Sequence, residues 1–378
     1  MTISIRRFVT ADRDAVVRND VRSFAAKTPV EEAAREWTRA LEWDRFWVAE
    51  DDGELVGHAG AFSFDITVAV AGGGVARVPC SGVTWASVQV THRRQGILRR
   101  FMEALEGDAR DRGELALVLG ASEGGIYERF GFGAASQQRD VVIDPQMVRF
   151  RPSAPSGGSV HFVQDFEAES QLRREIHGRY AWGHVGELSR SPQFWERLLG
   201  TEPEWRTAQP RHTLVHRDAS GDPDGYACFT LADNWTGGRP LHTCEVTELI
   251  AETPVAHAEL WRTICSLDLV MEIRTDVLAL DDPLPLLLDN ARAVRTTAVW
   301  DWLWVRLLDP EAAWAIRGLQ PPDELVMSDA DASSLWLGGG SARDLVRAGR
   351  AAELRPGAAA DFDSLARCVP GPFCSTGF

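Results

Sequence analysis

The sequence predicts an α/β (α+β) fold in which two units of similar strand–helix–strand order follow one another and a third region ends the chain. Over residues 1–145, strand-like apolar runs alternate with helical patterns. The same order returns within the second unit, at 248–273. A Pro/Gly/Ser-rich stretch after residue 150 is typical of a linker between units. We therefore place the domains at residues 1–145, 158–288 and 296–378.

The elements of the first unit follow from its hydrophobic periodicity. TISIRRFV is predicted as a strand, ADRDAVVRNDVRSF and PVEEAAREWTRAL as helices, and RFWVAED and ELVGHAGAFSF as strands joined by a turn at residues 51–53. After the β-rich run ARVPCSGVTWASVQV, the residues Ile97, Phe101 and Leu105 recur at helical spacing. LALVLGAS is typical of a strand covered on both faces. GGIYERFGFG is predicted as a brief helix, and SQQRDVVID as the strand that closes this unit.

The second and third regions have their own signals. QLRREIHGRYAW and QFWERLL have helical patterns, and a later helix begins with Thr253 as N-cap and Pro254 as its first residue. Because that helix start has no arginine pair, we predict that it binds no phosphate. Trp300, Trp302 and Trp304 alternate with other residues, which predicts three indoles on one face of a strand, in a core, at a subunit interface or around a ligand cavity. PEAAWAIRGL and SARDLVRAG are predicted helices.

Composition narrows the class of protein. The 378 residues are 44% apolar and 25% charged, as in soluble globular proteins. The chain has no apolar run of about 18 residues and no secretory signal at its amino terminus, so we expect no membrane partner and a cytoplasmic location. The six cysteines lack metal-ligand spacing, which predicts no bound metal and no disulfide framework. A net charge of −15 argues against nucleic acid and suits a cationic partner, although acidity also serves solubility.

The stretch VTHRRQGILRR, residues 90–100, indicates an anion site. A helical pattern begins after Gly96 without a capping side chain, and Arg93 and Arg94 precede it. Uncapped N–H groups at a helix start, flanked by positive charge, suit a bound phosphate. The alternative is that both arginines are solvated surface charges. His92, beside this loop, is predicted as a surface or packing residue.

The order of elements, with this loop at the helix start, resembles the GNAT acyltransferase fold. HRRQGILR together with ASEGGIYERFGFG, the length of the chain, and a final phenylalanine after a glycine-rich tail resemble the Eis family of acetyltransferases. This resemblance implies an active GNAT domain, a degenerate GNAT domain and a sterol-carrier-protein-like third domain. It also implies acetyl-CoA as co-substrate and a homo-hexamer.

The resemblance assigns cofactor-binding residues on the strand before the loop, on the loop itself and at the end of the next strand. Their numbers here are Ala86, Ser87, Val88, Arg93, Arg94, Gln95, Gly96, Ile97, Leu98 and Ser122. Leu98 stands where the family has a Gly or Ala. The backbone N–H of Val88 is the expected donor to the thioester carbonyl.

Two catalytic roles also come from the resemblance: Tyr127 as general acid and the α-carboxylate of Phe378 as general base. Elementary chemistry agrees with both. An amine attacks a thioester only after it has lost its proton, and a phenol can protonate the departing thiolate. Direct transfer needs no nucleophilic side chain on the enzyme. The alternatives are that Tyr127 is a core residue and that the tail is frayed.

The acceptor is expected to be an amine of a cationic small molecule. The resemblance suggests aromatic walls for its pocket, with Phe24, Trp37 and Trp85 as the candidates. Cation–π contacts with these residues would help to hold a polyamine, although packing would also explain them. The resemblance implies aminoglycosides. Gly377 stands where the family often has an acidic residue, which bears on substrate range. The alternatives are lysine acetylation of proteins or peptides, and a lipid- or sterol-binding module with an inactive GNAT domain.

Overall fold

The computed structural model describes residues 3–199 and 211–378. The chain forms two compact units. The first combines Met1–Ser136, Val185–Leu198 and Asp301–Phe378, and the second combines Gln137–His184 and Leu199–Trp300. Each unit is therefore discontinuous in sequence. The three domain boundaries predicted from the sequence stay predictions.

The amino-terminal part of the first unit alternates strands and helices. Its elements are β1 (Ser4–Arg7), α1 (Arg13–Ser23), α2 (Val30–Glu36), β2 (Trp47–Asp51), β3 (Glu54–Ala69), β4 (Val75–Val88), α3 (Ile97–Asp111), β5 (Ala116–Gly120) and β6 (Gly133–Ala134). The predicted brief helix in GGIYERFGFG ends at Gly131 as expected, but it is not an α-helix. Two single-turn 3₁₀ helices, Gly124–Ile126 and Glu128–Phe130, stand there instead, because the glycine-rich segment is too short to propagate an α-helix.

The next part of the chain forms most of the second unit. Its elements are β7 (Gln137–Ile143), β8 (Ser159–Val163), α4 (Phe166–Gly183), α5 (Pro192–Leu199), β9 (Arg211–Arg217), β10 (Pro223–Ala232), β11 (Trp235–Thr236), β12 (Arg239–Pro240), β13 (His242–Ala251), α6 (Pro254–Cys265), β14 (Val270–Ala279), α7 (Leu284–Leu287) and β15 (Val294–Asp301). Of these, α5 lies almost wholly in the first unit.

The sheet of the second unit has the strand order β15-β7-β14-β13-β10-β9-β8. The prediction that SQQRDVVID closes the first unit is wrong. This stretch forms β7, which pairs antiparallel with β14 through Ile143 and Ile273, and both side chains are fully buried. Strand–helix–strand order was predicted correctly for β13, α6 and β14, and the two strands are parallel.

The last part of the chain returns to the first unit. Its elements are β16 (Leu303–Leu307), α8 (Pro310–Ile316), β17 (Leu325–Met327), α9 (Asp329–Leu335), α10 (Ala342–Arg347), β18 (Ala351–Glu353) and α11 (Ala358–Ala366). The predicted single strand with three indoles is wrong, because β15 ends at Asp301 and β16 begins at Leu303. Trp300 therefore belongs to one sheet and Trp304 to the other.

The sheet of the first unit has the order β1-β2-β3-β4-β5-β16-β6. Strand β16 lies between β5 and β6 and pairs antiparallel with both. On one face of the sheet, α3 buries Ile97, Phe101 and Leu105, each at most 2% exposed. Full burial of such a side chain stabilises the fold by about 1.5–3 kcal/mol. The apolar residues that recur at helical spacing in the sequence are thus the residues that α3 buries against the sheet.

Gly133 in β6 shows why the motif GGIYERFGFG ends in glycine. A Cβ atom on Gly133 would lie 1.9 Å from the carbonyl oxygen of Ala330 in α9. No side chain fits at that distance, so only glycine allows the helix to pack on this strand. The last glycine of the motif therefore has a structural role, separate from the chemistry of the tyrosine.

Within the described ranges, no helix has the length and apolar character that a membrane span requires. All six cysteines are free thiols. Among the same residues, no cluster of three His, Cys, Asp or Glu side chains could hold a metal ion.

Candidate active site

A cleft opens between β4 and β5 in the first unit. The two strands are parallel and pair through Cys80, Ser81 and Gly82 of β4, and the last pair joins Gly82 to Val118. Both strands continue beyond that pair, β4 to Val88 and β5 to Gly120. Because the pairing stops before the strands end, a wedge is left between them. A cavity of about 440 Å³ occupies this region.

The wall of the cavity on β4 is irregular. Between the pairs His58–Ser87 and Gly60–Thr84, one residue of β3 faces two residues of β4, which is a β-bulge at Trp85 and Ala86. Trp85 has a φ of 50°, in the left-handed region that bulky residues rarely adopt. A bulge leaves a backbone group out of the ladder, and here the bulged residues line the cavity.

The loop before α3 is shaped for an anion. Arg94 has a φ of 64° and Gly96 a φ of 79°, and Gly96 occupies the N-cap position without a side-chain hydrogen bond. The first turn of α3 has no acidic residue, and Arg93 through Gly96 are exposed. A Cβ on Gly96 would meet nothing within 4 Å, so the helix start is open to solvent. These features fit a phosphate group.

His92 lies beside this loop but does not line the cavity. Its Nε2 atom is 3.3 Å from Oδ2 of Asp51, and its Nδ1 atom is 2.8 Å from the Thr91 hydroxyl. The side chain is half-buried. Its contacts are those of a packing residue that joins the loop to the end of β2.

Tyr127 lines the cavity between the two 3₁₀ helices that follow β5. Its ring packs edge-on against Phe132, with the centroids 5.9 Å apart. Burial raises the pKa of the Tyr127 phenol, and the nearby charge of Glu123 raises it further. The phenol is therefore protonated at neutral pH and can donate a proton into the cavity.

Phe378 lines the same cavity. Its ring packs edge-on against Phe64, at a centroid distance of 5.1 Å, and against Phe62, at 6.4 Å. The residues before it are not frayed, since Cys374 is fully buried and Thr376 is 1% exposed. The tail thus reaches the cavity without forming a helix or strand, as its prolines and glycines predict.

The three aromatic residues predicted for the acceptor also line the cavity. Phe24 is 52% exposed, and Trp37 and Trp85 are half-buried. Trp85 is held edge-on to Phe46 at a centroid distance of 6.3 Å. Because all three side chains are partly exposed, their rings can form cation–π contacts with a bound cation, which fully packed rings cannot do.

The cavity brings together many of the residues predicted from the sequence. Those that line it are Phe24, Trp37, Trp85, Ala86, Ser87, Arg93, Ser122, Tyr127 and Phe378. The others stand in the adjoining strand end, loop and first helical turn, outside the lining. They are Val88, Arg94, Gln95, Gly96, Ile97 and Leu98.

Sequence reasoning missed three charged residues of the lining: Asp20, Glu123 and Arg197. Asp20 lies four residues before Phe24 on α1, so helical spacing from Phe24 would have found it. Glu123 directly follows Ser122. Arg197 lies on α5, and burial lowers the pKa of its guanidinium. No local signal connects α5 to this site, because the other lining residues lie at least 70 positions away in the sequence.

Asp20 is supported from behind by a buried polar network. Its Oδ1 atom is 3.5 Å from Nε2 of His58, which is fully buried on β3. Nδ1 of His58 is 3.2 Å from the side-chain amide of Asn19, and that amide also donates to the hydroxyl of Ser87 at 3.2 Å. Ser87 donates in turn to Ser23 at 2.7 Å. The network fixes a carboxylate that is only 5% exposed on the cavity wall.

Comparison with known proteins agrees with this geometry. A family profile described as an acetyltransferase (GNAT) domain matches residues 4–135, and a second one with the same description matches residues 186–307. An uncharacterized N-acetyltransferase of Streptomyces griseus is 32% identical over 99% of both chains. The N-acetyltransferase Eis of Mycobacterium bovis is 33% identical over 82% of this chain and 77% of its own.

Solved structures give the same result. Eis1 from Mycobacterium abscessus superimposes with a TM-score of 0.84 and 28% identity over the full length of both chains. A GCN5-related N-acetyltransferase from Anabaena variabilis has a TM-score of 0.80 at 14% identity, which shows the fold alone.

The prediction of tandem GNAT folds is confirmed by these matches. The sterol-carrier-like character predicted for residues 296–378 stays a prediction, as do the cytoplasmic location and the hexamer. Three observations agree: the parallel strands β4 and β5 separate, an uncapped helix start lies beside them, and relatives match nearly the whole length of the chain. The chain is an acyltransferase that belongs to the Eis family of GNAT N-acetyltransferases.

Proposed function

We propose that the protein transfers the acetyl group of acetyl-CoA directly to an amine of a cationic small molecule, such as an aminoglycoside. The observation that carries the proposal is that Tyr127, Phe378 and Arg93 line a single cavity. A proton donor, a carboxylate and a phosphate-binding cation are the groups that direct acetyl transfer from a CoA thioester requires.

The co-substrate is expected to lie along the wedge between β4 and β5. The exposed arginines 93 and 94, with the N–H groups from Gln95 to Leu98, would hold its pyrophosphate at the open start of α3. Ala86, Ser87 and Ser122 lie along the path of the pantetheine arm. The N–H of Val88 would donate to the thioester carbonyl as negative charge develops on its oxygen.

Three proton transfers complete the proposed reaction. The carboxylate of Phe378 takes a proton from the acceptor ammonium, and the free amine attacks the thioester carbon. The C–S bond breaks, and Tyr127 gives its proton to the departing sulfur. The nitrogen of the new amide then releases its extra proton, which restores the Tyr127 phenol. The raised pKa of Tyr127 supports this role, because the phenol keeps its proton until the thiolate forms.

A cationic acceptor is supported by one acidic and three aromatic residues that line the cavity. Asp20 supplies a carboxylate, and Phe24, Trp37 and Trp85 supply aromatic faces. Carboxylate and aromatic faces both attract an ammonium group, and each cation–π contact is worth about 0.5–2 kcal/mol. A lysine side chain would make the same contacts, which keeps protein or peptide acetylation as the second candidate.

The test is release of CoA thiol by the purified protein with acetyl-CoA and an aminoglycoside, a lysine-containing peptide or buffer alone. We expect the aminoglycoside to raise thiol release well above the buffer rate, with the acetylated amine detected by mass spectrometry. Faster release with the peptide would favour the second candidate. If neither amine raises the rate of thiol release above that in buffer, the proposal fails, and the result favours the lipid- or sterol-binding alternative predicted from the sequence.

A further inference from the structure

The carboxyl-terminal tail is held on a buried carboxylate that takes no part in the proposed chemistry. Glu187 is fully buried, and its Oε2 atom accepts a hydrogen bond from the backbone N–H of Ser375 at 2.7 Å. Its Oε1 atom accepts one from the Thr376 hydroxyl, also at 2.7 Å. A buried carboxylate is stable only when such donors surround it, so these two bonds are strong constraints on the tail.

Arg190 adds two further bonds to the same residues. Its Nε atom donates to the Thr376 hydroxyl at 2.9 Å, and its Nη2 atom donates to the Ser375 hydroxyl at 3.1 Å. Burial and the charge of Glu187 also raise the pKa of the adjacent Cys374 thiol well above its ordinary value. Four hydrogen bonds thus hold Ser375 and Thr376, and Thr376 stands two residues before Phe378.

The segment that carries Glu187 is itself fixed to β3. The backbone N–H of Thr67 donates to the carbonyl of Glu187 at 3.0 Å, and the N–H of Gly186 donates back to Thr67 at 2.8 Å. Leu188 bridges to Ile66 in antiparallel fashion. Strand β3 also contributes Phe62 and Phe64, the rings against which Phe378 packs.

We infer that Glu187 is a positioning residue, which sets where the Phe378 carboxylate stands in the cavity. The inference rests on the proposed function, since it needs that carboxylate to be the general base. The two hydrogen bonds of Glu187 connect the sheet to the end of the tail. Their loss would let the carboxylate of Phe378 move, and a base displaced by about 1 Å loses on the order of 100-fold in rate. Glu187 does not line the cavity, so we expect its removal to change turnover through the position of Phe378.

The experiment compares Glu187→Ala, deletion of Phe378, and both changes together, each assayed for kcat and for acetyl-CoA affinity. We expect Glu187→Ala to lower kcat on the order of 10- to 100-fold with acetyl-CoA affinity unchanged. Added to the Phe378 deletion, it should cost less than about twofold more, because both changes act through one group. Glu187→Gln, which keeps one acceptor oxygen, should fall between Glu187→Ala and the parent.

A matched control is Asp363→Ala in α11. Asp363 is 5% exposed and accepts hydrogen bonds from a backbone N–H and a serine hydroxyl, at Ala342 and Ser341, but does not line the cavity. It should lose stability without losing kcat per folded molecule. If Glu187→Ala proves insoluble, Thr376→Val removes one of the two bonds and should lower kcat in the same direction.

Three results overturn the inference. The first is an unchanged kcat in Glu187→Ala when the Phe378 deletion has lowered it. The second is a further full loss when the two changes are combined, which would make Glu187 a structural residue. The third is a deletion of Phe378 without effect, which would refute the general base of the proposed function itself and leave Glu187 nothing to position.

Discussion

The two units contain parallel strand–helix–strand motifs with opposite helix starts. In the first, α3 begins at Gly96 in the left-handed region, without a side-chain cap and after two exposed arginines. In the second, Thr253 caps α6 by accepting a hydrogen bond from the N–H of Ala256, and Pro254 follows. A cap satisfies the N–H groups that an anion would otherwise bind. The same motif is thus open to a phosphate in one unit and closed in the other.

The units also differ after the second strand of the motif. Tyr127 follows β5 and lines the cavity, whereas the sequence from Leu280 to Trp300, after β14, contains no tyrosine. Together the helix start and the tyrosine distinguish the first unit, which contains the cavity, from the second. The predicted absence of phosphate binding at α6 remains to be tested.

The largest expected effect is on Tyr127. Tyr127→Phe removes the hydroxyl that we propose as the proton donor and keeps the ring that packs on Phe132. We therefore expect kcat to fall by about 100-fold or more while acetyl-CoA affinity stays near that of the parent. Steady-state kinetics with isothermal titration of acetyl-CoA measure both. Tyr180→Phe makes the same chemical change in the second unit and should leave kcat unaltered. A large loss of acetyl-CoA affinity in Tyr127→Phe would mean that the tyrosine is structural.

The second effect tests the open helix start. Gly96→Asp places a negative charge at the open start of α3, where it would repel a phosphate group. The control is Gly96→Asn, which has the same shape without the charge. Acetyl-CoA affinity should be about tenfold lower in Gly96→Asp than in this control, which corresponds to a repulsion of about 1.4 kcal/mol between the carboxylate and the diphosphate. Both residues tolerate a left-handed φ. Equal affinities in the two variants would remove the anion site from the proposal.

The third effect is confined to stability. Thr253→Val removes the cap of α6 and should lower the free energy of unfolding by about 1 kcal/mol, because the N–H of Ala256 loses its partner. Denaturant unfolding measures the loss. The number of acetyl-CoA molecules bound per chain should stay at one. Binding of a second acetyl-CoA to Thr253→Val would show that only the cap prevents the second unit from binding the cofactor.

The smallest effect concerns the pKa of Tyr127. Glu123→Gln removes a negative charge that raises this pKa, so the phenol should ionise at lower pH than in the parent. Ultraviolet titration can follow this, because the chain has three tyrosines and the difference from Tyr127→Phe isolates one of them. No downward shift would mean that burial alone sets the pKa. The alkaline limb of kcat should move in the same direction as the phenol.

The first unit was largely predictable because its signals are local. Helical periodicity located α3, and the arginine pair and the uncapped start located the loop before it. The assignments that failed depend on pairing between distant segments. β7 leaves the first unit because its partner, β14, lies more than 120 residues later in the chain, and the indole run is divided because β15 and β16 join different sheets. Periodicity tells which face of a strand is buried, but it does not identify the neighbour.

The site residues that were predicted have local sequence signals, and most of those that were missed do not. Tyr127 and the loop at residues 93–98 stand in motifs, and Phe378 came from the resemblance at the end of the sequence. Asp20 lacks a motif but shares a helix face with Phe24. Glu187 and Arg190 have no signal, because their importance comes entirely from a tail more than 180 residues away in sequence.

Strand β16 gives the first unit an unusual order of assembly on the ribosome. The strand fills the place between β5 and β6, yet it is synthesised more than 160 residues after them. At about 5–20 residues per second, the edge of β5 waits roughly 10–40 s for its neighbour. During that interval an apolar strand edge is available to other nascent chains. A fragment that stops before residue 303 would keep that edge permanently, so shortened versions of this enzyme should aggregate rather than fold.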